Sequence, residues 1–95
     1  MTNASGLTPR RIALDGEYDI ARKDEIAKAF AGLDGEDAVI VDLSKVTYLD
    51  SAGLRELALL RLKNLDRYIA LVGANQNLRR LLKIAGFERI IDQIE

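Results

Sequence analysis

The stretch Val39–Leu54, VIVDLSKVTYLDSAGL, decides how this chain is read. With Ala38 in front, it opens on a continuous apolar run, AVIVDL (Ala38–Leu43), rich in β-branched residues. Continuity rather than alternation predicts a strand covered on both faces. SKVTY (Ser44–Tyr48) reads as a short connector, and a leucine-rich helix is predicted over Leu54–Leu65. At its mouth stands Leu49–Leu54, LDSAGL: an acid, a hydroxyl and a glycine. Asp50 and Ser51 are both good N-cap residues, because a side-chain oxygen satisfies an orphan N–H of the first turn. The reciprocal capping box is missing, since Gly53 and Leu54 stand where a Glu or Gln would reach back. Gly53 falls inside the first turn, at about 1 kcal/mol relative to Ala. Capping alone gives no reason for that glycine.

Outward from this centre the chain alternates. Residues 1–9 read as a flexible lead-in or a short edge strand, and 10–95 as a single domain. RRIALDG (Arg10–Gly16) predicts a strand ending at Gly16. A helix follows, with Ile26, Ala29, Phe30 and Leu33 on one face, Asp19 as its candidate cap, and Gly32 and Gly35 bracketing its end. Beyond the central helix, YIALVG (Tyr68–Gly73) predicts a second buried strand. ANQNLRRLLKIAGF predicts a third helix, capped by Asn75 or Asn77, with Leu78, Leu81, Leu82 and Ala85 as its stripe and Gly86 as its C′ residue. ERIIDQI closes as a short strand. The order β-α-β-α-β-α-β predicts an α/β fold with substantial parallel pairing and right-handed crossovers.

Composition narrows function. Lys plus Arg number 14 and Asp plus Glu 15, so there is no basic excess for direct nucleic-acid binding. Cysteine and histidine are both absent, which removes disulfides, thiolate chemistry, the usual metal ligand and the usual general base. No apolar run approaches the ~18 residues of a spanning helix, so no membrane insertion is expected, and a soluble cytoplasmic protein is the default. Ser51 lacks a histidine base, and LDSAG is not the G-x-S-x-G elbow, so an enzyme is not expected. No P-loop is present, no cofactor is expected, and metal ligands are not evident.

A serine at a helix N-terminus has a second use. Phosphorylation adds about −1.5 to −2 charges and three acceptor oxygens, which the positive end of the helix dipole tolerates. Gly53 lets a partner's backbone approach closely. Asp50 beside a phosphate raises the local negative charge density, which helps a partner tell the two states apart.

VIVDLSKVTYLDSAGL resembles the signature of the STAS domain, and of bacterial anti-sigma factor antagonists in particular. In that family an Asp-Ser-x-Gly-Leu segment opens the second main helix. LDGEYDIARKDEI resembles the family's Gly-Glu-x-Asp segment, with Asp19 at the acidic position, and GANQNLRRLLKIAGF resembles its last strand–helix unit. The resemblance covers about Ile12–Ile91. It implies a STAS-like mixed sheet of four to five strands alternating with three helices. It also implies a switch: the unmodified domain captures an anti-sigma factor with serine kinase activity and frees the sigma factor; phosphorylation of Ser51 ends the capture, and a phosphatase resets it. The partner surface implied is Asp19, Asp50, Ser51, Ala52, Gly53 and Leu54.

Leu59 joins this surface on helical geometry, falling between Arg55 and Lys63 on the water side; the alternative is an isolated surface leucine. Leu54, Leu57, Ala58, Leu62 and Leu65 form the predicted inward arc. Arg61 falls inside it, and its stem is expected to pack while its head reaches water. The chain ends without room for the family's final helix. That departure supports a second reading, a compact STAS scaffold subunit of a lipid-transport ABC complex or other signalling assembly, with Ser51 only capping. An exposed strand edge near Arg10–Leu14 offers a route to a weak homodimer.

Overall fold

The structure, a computed structural model, describes residues 9–18, 22–31 and 38–95. Four strands form one sheet: β1 (Arg10–Tyr18), β2 (Val39–Leu49), β3 (Ile69–Val72) and β4 (Gln93–Ile94). Their spatial order is their chain order, and every pairing is parallel. Three helices make the crossovers: α1 (Lys23–Ala31), α2 (Ser51–Leu62) and α3 (Gln76–Ile84), with a 3₁₀ turn at Phe87–Arg89 before β4. The α/β expectation holds, and the sheet among the described residues is parallel throughout.

Unbroken strand order with right-handed crossovers puts every helix on one face of the sheet. The core agrees. Leu14, Val41, Leu43, Ile69 and Leu71 from the strands meet Ile26 of α1, Leu57 and Leu60 of α2, and Leu78 and Leu82 of α3 in one buried cluster. The expectation that β2 is covered on both faces is therefore corrected. Val39, Val41 and Leu43 are fully buried, whereas the alternate residues Ile40 and Asp42 are only half-buried. On that second face Asp42 accepts from Arg11 at 2.9 Å and from the Ser44 backbone N–H at 2.9 Å. Bonds from Ser44, chiefly, and the Arg11 guanidinium hold its carboxyl down to about 2.

Two more expectations change. SKVTY is not a connector: β2 runs on through it to Leu49 and stays paired with β1, which itself continues past Gly16 to Tyr18. Two register shifts, between Ala13 and Asp15 and between Gly16 and Glu17, insert extra β2 residues opposite β1. Bulges of this kind bend a strand and increase its twist, so period-2 alternation fails locally. That is why the stretch reads as irregular. Gly16 has φ +76°, and a Cβ there would lie 2.9 Å from the Arg22 guanidinium. Arg22 occupies that space, donating to the carbonyls of Asp15 (3.2 Å) and Glu17 (2.9 Å) and pairing with Glu25 at 2.8 Å. The bond from Arg22, chiefly, holds the Glu25 carboxyl below its ordinary range.

In α1, Ile26 is fully buried and Phe30 half-buried, but Ala29 faces water. Leu33, Gly32, Gly35 and the candidate cap Asp19 lie outside the described residues. Asn75, not Asn77, caps α3, accepting from Leu78 N–H at 2.8 Å, and Gly86 takes φ +84° just beyond its end. In that third stripe Leu78 and Leu82 are buried, Leu81 is half-buried and Ala85 is exposed.

Arg61 also departs from expectation. Its head does not reach water; the residue is 8% exposed. The guanidinium donates to the carbonyls of Asn64 (3.0 Å), Leu65 (3.0 Å), Arg67 (2.8 Å) and Ile90, and pairs with Asp92 at 2.6 Å. It thereby satisfies carbonyls just beyond the C-terminus of α2, where a cation also suits the helix dipole. Asp92 in turn accepts from Ile69 N–H at 2.7 Å, and chiefly that bond, with Arg61, lowers its pKa. With Leu60 and Arg61 facing inward, α2 buries Gly53, Leu57, Leu60 and Arg61, a stripe at i, i+4, i+7 and i+8. Leu62 and Leu65, predicted to face inward, are turned to solvent, and Leu65 lies beyond the helix.

Candidate functional site

The helix-opening motif sits where β2 ends. Asp50 has extended backbone angles and takes the N-cap, its Oδ1 accepting from Gly53 N–H at 3.0 Å while its carbonyl accepts from Leu54 N–H at 2.9 Å. Ser51 is the first helical residue. It is exposed, and its hydroxyl has no partner among the described residues. The capping role therefore falls to Asp50 and leaves Ser51 free. A helix needs one cap acceptor for the N3 donor, and here the acid occupies it.

Gly53 is buried beneath this opening turn, and Ala52 and Leu54 are half-buried beside it. The extended β2 brings the end of β1 to the same place, since the last register pair is Tyr18↔Leu49. Asn75, the cap of α3, reaches toward the same region, its amide 3.4 Å from the Val46 carbonyl. Crowding behind the site is tight: Gly73 at the end of β3 has φ +78°, and a Cβ there would lie 2.9 Å from Ser44 Cβ. The α2 opening is thus held on a rigid base at the carboxyl ends of the strands, where open α/β sheets commonly present their sites.

Along α2 the outer stripe is Ser51, Arg55, Leu59 and Leu62, spaced i, i+4, i+8 and i+11. Leu59 is half-buried rather than water-facing, and lines a groove between α1 and α2 with Ala27, Phe30, Glu56 and Lys63. The structure so brings Asp50, Ser51, Ala52, Gly53, Leu54 and Leu59 onto one helix, while Asp19 lies outside the described residues. Two neighbours escaped the sequence reading. Tyr48, 52% exposed, stands on β2 just before the motif. Arg55 is exposed without a partner among the described residues, four residues after Ser51, so the two share a helix face. The i, i+4 spacing could have found Arg55; nothing in the sequence marks Tyr48, because SKVTY does not read as strand.

Among the described residues no group of three His, Cys, Asp or Glu side chains could hold a metal ion, and no helix is long and apolar enough to cross a membrane.

Four parallel strands alternating with three helices, the second of them opening on an acid cap where β2 ends, form a STAS-type fold. The family model described as "Mlab, STAS domain" matches residues 2–92, and the chain belongs to this STAS family. STAS domains are non-catalytic regulatory modules. The solved STAS domain of a SulP transporter from Vibrio cholerae is similar in fold, with a TM-score of 0.69 at 17% identity, covering 92% of this chain and 73% of that one. Comparison with curated proteins returns no match.

Proposed function

We propose that this protein is an anti-sigma factor antagonist, a binding module switched by phosphorylation of Ser51. Unmodified, it captures an anti-sigma factor that is itself a serine kinase, and so releases the sigma factor. Transfer of a phosphoryl group to the Ser51 hydroxyl ends the capture, and a phosphatase restores it. The observation that carries this reading is the free, exposed Ser51 hydroxyl beside an Asp50 that already serves as cap.

The physical logic is electrostatic. A phosphate at the first helical position meets the positive end of α2 and, one turn on, the Arg55 guanidinium, so the helix tolerates it. A partner docked over Ser51 meets a new dianion beside the Asp50 carboxylate. An uncompensated charge buried at an interface costs several kcal/mol, and about 1.4 kcal/mol is already tenfold in affinity. The experiment is intact-mass measurement after incubation with ATP and a candidate anti-sigma kinase. One added phosphate is expected, lost in Ser51→Ala. No added phosphate, or one that survives Ser51→Ala, overturns the proposal.

A second reading is a constitutive scaffold subunit of a lipid-transport ABC complex. It is favoured by the description of the matching family, which names Mlab and not an antagonist. Recovery with membrane transport subunits, with binding unchanged by Ser51→Asp, would select it.

A further inference from the structure

The end of the molecule opposite the motif carries an apolar surface that the proposed switch does not use. Leu62 is 64% exposed, Leu65 70%, Tyr68 45% and Ile90 38%. They come from the last turn of α2, the α2–β3 loop and the segment before β4, yet line one shallow hollow. Isolated surface leucines are ordinary, but a contiguous cluster of this kind marks an interaction site.

Two further observations say what covers it. The floor is rigid, because the buried Arg61 guanidinium ties the carbonyls of Asn64, Leu65, Arg67 and Ile90 together and anchors them to Asp92. A pre-ordered surface loses little conformational freedom on association. The rim carries both signs of charge. Asp66 and Arg89 line the same hollow, both exposed, and neither side chain has a partner among the described residues. An acidic or basic partner would want one sign only. A two-fold copy wants both, because each contact occurs twice, with acid and base exchanged.

We infer that this face is a self-association surface. Two copies of the chain meet through Leu62, Leu65, Tyr68 and Ile90, with Asp66 of each copy facing Arg89 of the other. Four apolar side chains are far fewer than the roughly 20–30 residues a side of a standard stable interface, so the dimer is weak and concentration-dependent. Ser51 lies at the far end of α2, about 17 Å away for a twelve-residue helix at 1.5 Å per residue. Dimerisation leaves it free, and this inference does not depend on the Ser51 reading.

Sedimentation equilibrium of the full chain, from about 10 μM to 1 mM, tests it. The wild type is expected to show a monomer–dimer equilibrium in that range. Leu65→Asp is expected to abolish it. Asp66→Arg is expected to weaken the dimer about tenfold, since it sets like charges against each other at two symmetric contacts. The double exchange Asp66→Arg with Arg89→Asp restores the pairing, and with it the dimer. All of these substitutions are at exposed positions, and circular dichroism verifies that each variant is folded. A wild type that stays monomeric at 1 mM overturns the inference. So does a dimer indifferent to Leu65→Asp, or a double exchange no better than the single one.

Discussion

At the scale of single residues, Asp50 and Ser51 are adjacent, and both types are favoured caps, but their stability contributions are expected to differ. Asp50 binds an otherwise orphan N–H of the first turn, so Asp50→Ala should destabilise the fold by about 1 kcal/mol. Ser51 is exposed and its hydroxyl is bonded to nothing among the described residues, so Ser51→Ala should fall within about 0.5 kcal/mol of the wild type. Urea unfolding of the two variants decides this. Equal losses would mean that the serine shares the cap, and the free hydroxyl on which the switch depends would be gone. Gly73 illustrates a different residue-scale constraint. Its positive φ and its contact with Ser44 leave no room for a side chain, which keeps the top of β3 close against β2.

The decisive link at the scale of elements is Arg61. One side chain on α2 joins the α2–β3 loop to the segment leading into β4, an edge strand of only two residues. A strand that short contributes little by its own pairing, so its placement depends on Arg61, Asp92 and the buried Phe87 and Ile91. Arg61→Ala would remove a donor from the carbonyls of Asn64, Leu65, Arg67 and Ile90 and leave Asp92, which is partly exposed, with the Ile69 N–H, so it should cost about 1–3 kcal/mol. Arg61→Lys should recover little of this, because an ammonium cannot span the acceptors that the planar five-donor fork reaches. Urea midpoints for both variants check the expectation; a fully stable Arg61→Lys would show that charge alone matters here.

For the whole molecule, the missing histidine and the depressed carboxylates together set the response to pH. Without histidine, no imidazole-driven change in stability arises between about pH 5 and 8. Asp42 is held at about 2 in the folded chain, chiefly by Ser44, against an ordinary value near 3.8; Asp92 and Glu25 are also lowered. A carboxyl whose folded pKa is depressed stabilises the fold at pH values above its unfolded pKa. That contribution fades as pH falls from about 4 toward 2. Unfolding midpoints measured from pH 8 to 2 should therefore stay level to about pH 5 and then fall. Asp42→Asn should flatten part of the fall.

Read along the chain, the residues suffice for the alternation of strands and helices, the two buried strands, the Asp-Ser-x-Gly-Leu opening of α2 and the resemblance that locates Ser51. These are local signals: apolar runs, helical spacing, and side chains that bond their own backbone within four residues. That Asp50 rather than Ser51 caps is visible in the folded chain alone, because one acceptor suffices and two were on offer. It alone showed SKVTY to be strand, since bulges against β1 break the alternation by which a strand is read. It also turned Arg61 inward and Leu62 and Leu65 outward. Helical spacing could not foresee that, because two of the acceptors that hold Arg61, the Ile90 carbonyl and the Asp92 carboxylate, are about thirty residues away along the chain, and no periodicity encodes where those come to lie.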